Sequence, residues 1–211
     1  MRKKGPGPGA AERGNMAPLA VVASLVLFAV LAIAVDQGLA SAAKARQENA
    51  LDDARAACME ASFAFKAKNA DDPGRLVAER AIRAIRGAGC GGRIEAWFYE
   101  APEGAVPADE RLWVIGLQVT EDLPTVFARG FGVEAIAVAS HRVVAAVPYA
   151  EERVWRPNER ICGRFELPAG AGAGAAAFTP LASLDEFPAE MGEQARAALS
   201  AGSEAEEGRL L

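Results

Sequence analysis

Five groups of residues in the chain have types and spacings that could do chemistry. Ser41-Ala42-Ala43-Lys44 has the S-x-x-K spacing of acylating serine enzymes, where a lysine one helical turn away can take the serine proton. The S-D-N and K-T-G elements that complete such sites do not occur, so the pair reads as a solvated helix face. Gly170-Ala171-Gly172-Ala173-Gly174 could suggest a phosphate cradle, but the third glycine of G-x-G-x-x-G is missing and no strand is legible before it. His141 is the only histidine and lies in a valine-rich run with no Ser or Cys partner in evidence, which makes it a strand-face residue rather than a base. Asp52–Asp53 and Asp71–Asp72 read as helix-surface and capping residues, not metal ligands. Cys58, Cys90 and Cys162 with one remote histidine do not form a zinc spacing. No acid, base and nucleophile converge. The reading is therefore non-enzymatic, with no cofactor and no metal.

Composition agrees. The 211 residues are 51% hydrophobic and 24% charged, enough for a core, but only 7% are aromatic and much of the apolar count is alanine. A net charge of −5 excludes nucleic-acid binding through a basic surface. The charge is unevenly placed. Arg2, Lys3, Lys4 and Arg13 face Glu12 alone in the head; residues 16–35 carry no charge; the last residues are rich in glutamate.

The charge-free block is long enough, as a helix of about 30 Å, to cross the hydrocarbon of a bilayer. Pro18 falls in its first turn, where a missing N–H costs nothing. A cleavable signal peptide is the rival reading. Against it, the block exceeds the usual h-region of about 7–15 residues, and the triplets 38–40 and 40–42 are weak cleavage matches. We expect an uncleaved anchor with its basic side cytoplasmic and residues 36–211 outside. Small residues Ala17, Ala20, Ser24 and Ala32 give it spacings that allow close helix approach to a lateral partner.

From 36 to 68 there is no proline and one glycine, and Leu39, Ala43, Arg46, Ala50, Ala54, Cys58, Ala61 and Phe65 share one helical face. The spacing predicts a stalk helix continuous with the anchor, extending roughly 45–50 Å beyond it. Asp72-Pro73 caps and starts a second helix that runs to Arg86, with Leu76, Val77, Ala81, Ile82 and Ile85 inward, ended by the glycines after it. Three extended runs follow, at 93–100, 111–120 and 133–148, with a short helix predicted over 123–131 and Gly132 as its stop. The expectation is an α+β fold: a single N-terminal transmembrane helix continuing into a long extracytoplasmic helix, then a helix hairpin packed on a roughly three-stranded antiparallel sheet. By domains this gives a basic cytoplasmic N-terminus at 1–15, the anchor at 16–35, the extracytoplasmic domain at 36–167 and a flexible Ala/Gly linker with acidic tail at 168–211.

Outside the cytoplasm disulfides persist. Cys58–Cys90, across the helix hairpin, is the first expectation and Cys90–Cys162 the second, with reduced, buried thiols as the alternative to both. The odd thiol could pair between chains.

Several segments, in order, carry a resemblance: Arg13-Gly14-Asn15-Met16-Ala17-Pro18 before the apolar span, Asp36 after it, Arg46-Gln47-Glu48-Asn49-Ala50-Leu51-Asp52-Asp53-Ala54, and Asp122-Leu123-Pro124-Thr125-Val126-Phe127-Ala128-Arg129-Gly130-Phe131-Gly132. Over about 13–147 the chain resembles the TadE/TadG-like family of Tad (Flp) pilus assembly, on its TadG-like branch. The resemblance implies a single-pass minor structural or assembly component of a pilus or related type II/IV secretion apparatus. Its implied partners are membrane lipid and pilin, pseudopilin or envelope proteins, with a homo-oligomer through the anchor or odd cysteine also open. One departure concerns processing. Pseudopilins of this group are cut after a glycine and carry glutamate five residues later; after Gly14 that position is Leu19. No prepilin-type processing is expected. The alternative function is a membrane-tethered extracytoplasmic binding or sensory module unrelated to pili.

Overall fold

A computed structural model of the chain describes residues 16–102, 111–145 and 162–207. The basic head and Gly14 lie outside the described residues. An unbroken helix, α1 (Met16–Met59), opens the structure. Its first four turns are apolar on every side and exposed apart from the half-buried Ala29, as at Leu25 (64%) and Phe28 (68%). By length and composition this helix is able to cross a membrane. A helix that is apolar all round needs an apolar surrounding, which the described residues do not supply here.

Towards the end of the apolar run a buried stripe sets in: Ala32, Asp36, Ala43, Gln47, Ala50, Leu51, Ala54 and Cys58. Steps of three, four and seven keep these on one face. The predicted face is corrected in detail. Leu39 and Phe65 are exposed, Arg46 points to solvent at the stripe's edge, and Gln47 is buried in its place. The stalk is also not one helix to residue 68. Glu60 adopts φ −58°, ψ 126°, and a short α2 (Ala61–Lys68) follows. Glu60 is held there by Ser62 Oγ and Arg80 Nη2, at 2.8 and 2.9 Å. Nothing at Glu60 resembles a helix breaker; the break coincides with the tie to Arg80 on the next helix.

That next helix, α3 (Pro73–Gly87), starts as its sequence demands, with the Asp72 carboxylate accepting the Arg75 N–H at 2.8 Å. Val77, Ala78, Ala81, Ile82 and Ile85 are buried, while Leu76 is only partly so. Gly89, at φ 83°, reverses the chain, a backbone state that glycine adopts without strain.

The sheet has five antiparallel strands, not three, in the order β3-β2-β1-β4-β5. They are β1 (Arg93–Glu100), β2 (Trp113–Pro124), β3 (Ala135–Ala145), β4 (Gly163–Leu167) and β5 (Ala177–Pro180). Predicted residues 146–148 of the third strand lie outside the described residues. Side chains alternate between faces. Ile94, Ala96 and Phe98 of β1, Ile115, Leu117 and Val119 of β2, and Phe165 and Leu167 of β4 pack under α1 and α3. The opposite face holds Trp97 and Val114, covered by Phe187 and Met191. Fully burying each of the larger aliphatics contributes roughly 1.5–3 kcal/mol.

Phe187 and Met191 belong to the segment expected to be a flexible tail, which is the main correction to the predicted fold. Residues 168–176 pack on α3 with Ala171, Ala173 and Ala176 half-buried. Arg86 Nη2 donates to the Pro168 carbonyl at 2.9 Å, and Gly170 N–H donates to Gly91 O at 3.0 Å. β5 then forms the sheet edge. Ser183 and Glu186 form a capping box, and α4 (Ala189–Glu207) lies across β2 and β3. Small residues that read as linker serve here as close-packing ones: they let the chain lie flat against a helix.

Candidate functional site

Asp36 is the first charge after the apolar run and yet is 4% exposed. Three backbone amides account for it. The N–H groups of Val126, Phe127 and Ala128 donate to its carboxylate at 2.8, 3.2 and 2.6 Å. They are available because β2 ends at Pro124, which has no ladder donor, and because Ala128–Phe131 is a 3-10 turn rather than the predicted helix from 123. The first amides of such a turn have no partner within it and favour an anion. The Ala128 N–H, above all, holds the Asp36 carboxyl below the usual aspartate range; burial opposes this, and the Val126 and Phe127 amides add to it.

The loop around the turn is internally tied. Thr125, itself buried, donates its hydroxyl to the Val133 carbonyl and to Glu134 O (3.2 Å), and its N–H to Glu134 O (3.0 Å). Gly132, at φ 86°, ends the turn as its sequence position suggested. Between these ties the loop leaves Val126, Phe127, Phe131 and Val133 exposed, at 61, 49, 70 and 45%.

Three further contacts fix α1 to the β2–β3 hairpin. Arg46 meets Glu121 at 2.8 Å, Gln47 Nε2 donates to Val138 O at 3.4 Å, and Asp52 meets Arg142 at 2.5 Å. Counting Asp36, the ties extend along roughly four turns of α1.

The other predicted residues fall apart from this site. Ser41 and Lys44 are both exposed on α1, with Ala43 between them facing inward. A strand, β4, does precede the glycine run, but only the three-residue turn Ala173–Ala175 follows it, not a phosphate-binding helix. His141 stands on β3 with Nε2 3.7 Å from Glu190 of α4, a strand-face position. Asp53 and Asp71 are exposed, Asp52 pairs with Arg142, and Asp72 caps α3. Among the described residues no three His, Cys, Asp or Glu groups could together hold a metal.

Neither expected disulfide forms, and geometry explains it. The Cys58 thiol faces the Val77 carbonyl at 3.9 Å, near the start of α3, whereas the Cys90 N–H bonds Ile85 at its far end. Eight residues of helix separate these levels by about 12 Å, beyond disulfide reach. Cys162 sits beside Glu100 at the end of β1, with the Glu100 N–H 3.4 Å from its sulfur, while Cys90 precedes the start of that strand. Burial pushes the Cys58 thiol up to about 12. Burial also raises Cys90, against the opposing pull of Arg46 and Arg86.

Of the small residues proposed for anchor packing, Ala17, Ala20 and Ser24 are exposed, and Ser24 Oγ donates back to Ala20 O at 2.8 Å. Ala32 is buried at 7% within its own chain, so it is not open to a lateral helix.

Two features escaped the sequence. Asp36 was legible only as a flank, because its partners are backbone amides and carry no side-chain signature. The second is the ion pair of Arg111 with Glu100, at 3.1 Å and with both side chains nearly inaccessible. Arg111 also donates to the Lys68 and Ala70 carbonyls at 3.0 and 2.7 Å, joining the α2–α3 turn to the end of β1.

No family model, curated protein or solved structure matches the chain.

Proposed function

We propose that the chain is a membrane-anchored minor structural or assembly component of a Tad (Flp) pilus or a related type II/IV secretion apparatus. In this reading residues 16–35 stay in the cytoplasmic membrane, the N-terminus is cytoplasmic, and the sheet domain stands outside to dock exported subunits. The observation that carries the reading is the unbroken α1, whose apolar half is exposed and whose polar half is clamped to the sheet. A hinge between anchor and domain would leave the domain's height undefined. A continuous helix tied at Asp36, Arg46, Gln47 and Asp52 sets both height and orientation, which is what a docking platform requires. The work is positional and involves no bond-making step.

Deletion of the gene tests the pilus assignment: loss of piliation, restored by the full chain, is the expected result. Normal piliation would turn the assignment to a tethered binding or sensory module. Protease added to spheroplasts tests the topology separately and is expected to cut the sheet domain while leaving the anchor.

A further inference from the structure

The loop between β2 and β3 presents an apolar surface that the folded chain does not use. Four large apolar side chains within eight residues are exposed, and they sit on a loop held by the Asp36, Thr125 and Gly132 interactions rather than on a loose end. Contiguous exposed apolar groups on an ordered loop indicate something that covers them.

Their depth is set by Asp36. This residue directly follows the charge-free run, and the loop amides lie within hydrogen-bonding distance of its carboxylate. The loop backbone is therefore within about one helical turn, 5.4 Å, of the level at which the apolar run ends. Ala32, one turn deeper on the same face, is also covered, so the chain folded against α1 reaches past that level. Leu31, Val35 and Leu39 of α1 are also exposed near this level. Arg129, exposed between Phe127 and Phe131, supplies a cation among these apolar groups. Aromatic and aliphatic groups with an intervening arginine suit the boundary between acyl chains and phosphate headgroups, where the stem of an arginine can lie in the apolar layer and its guanidinium at the phosphates.

We propose that residues 126–133 are seated in the lipid of the leaflet where the apolar part of α1 ends, with Phe127 and Phe131 in the headgroup–acyl boundary. The loop is then a second, shallow membrane contact beside the helix, and the two together fix how the domain leans on the bilayer surface. This inference rests on the anchored reading of residues 16–35.

The full chain in phosphatidylcholine–phosphatidylglycerol vesicles carrying brominated acyl chains separates the two. Phe131→Trp, at a position 70% exposed, adds a fluorophore without disturbing the core; Phe28→Trp does the same within the apolar run. The expected result is loss of roughly half or more of the fluorescence added at 131, strongest for bromines near the headgroup, with 28 quenched most by deep bromines. Quenching at 28 but none at 131 overturns the lipid-seated loop and leaves the anchor standing. No quenching at 28 overturns the anchor and the loop with it. A protein adduct in place of quenching, from a photo-crosslinker at 131 in cells, would also overturn the lipid assignment.

Discussion

The carboxylate of Asp36 and the backbone N–H of Ala128 meet at 2.6 Å across 92 positions of sequence. This contact joins the end of an exposed apolar helix to a loop that exposes four apolar side chains. It also makes part of the loop's anchoring depend on one ionisable group. Replacing Asp36 by alanine removes the acceptor for three amides. Hydrogen exchange at Val126, Phe127 and Ala128 is expected to rise by about an order of magnitude or more, with little change in β1. Unchanged exchange at those amides would contradict the clamp.

The same contact has a pH dependence. Because the folded carboxyl is held below its unfolded value, chiefly by the Ala128 N–H, the unfolded state takes up a proton first as pH falls. The contribution is complete above about pH 4 and fades as pH drops through the lower, folded value. Loop protection should thus be flat from neutral pH to about pH 5 and weaken only below about pH 4. Asp36→Asn should lack this acid step.

Arg111 is buried against Glu100 and two carbonyls. Arg111→Ala takes the cation from a desolvated carboxylate and is expected to cost about 3–5 kcal/mol, read as a lower denaturation midpoint in detergent. A double change to Arg111→Met and Glu100→Leu should recover part of that loss, since it removes both charges of this pair together.

Two glycines separate rigid from yielding neighbours. A Cβ at Gly92 would overlap the Thr120 carbonyl on the paired strand, whereas one at Gly163 would overlap the ring of Phe178, itself 37% exposed. Backbone cannot swing aside and a partly exposed ring can. Gly92→Ala should therefore destabilise by about 1–3 kcal/mol and Gly163→Ala by less, measured by thermal unfolding side by side.

The thiols give a check on the cysteine geometry. With its pKa pushed up to about 12 by burial, Cys58 should resist alkylation in the folded chain near neutral pH and react on unfolding. Mass analysis without reductant should show neither the Cys58–Cys90 nor the Cys90–Cys162 bridge within one chain.

What the sequence determined by itself were the features written in neighbouring residues. The charge-free run, the Asp72-Pro73 start of α3 and the eight residues of β1 follow from local hydropathy, capping chemistry and β-branched or aromatic content, and they were legible to within a residue or two. Tertiary structure decided everything whose partner lies far along the chain. Nothing near Glu60 marks a helix break; the contact made there is with Arg80, on another helix. The alanines and glycines of 168–176 carry no contrast of apolar and polar faces, because their role is to let backbone approach α3 closely, and only α3 in place makes that favourable. The acid that follows the apolar run shows no partner in sequence, because backbone amides are common to every residue; only the fold presents three of them, free of other bonds, to one carboxylate.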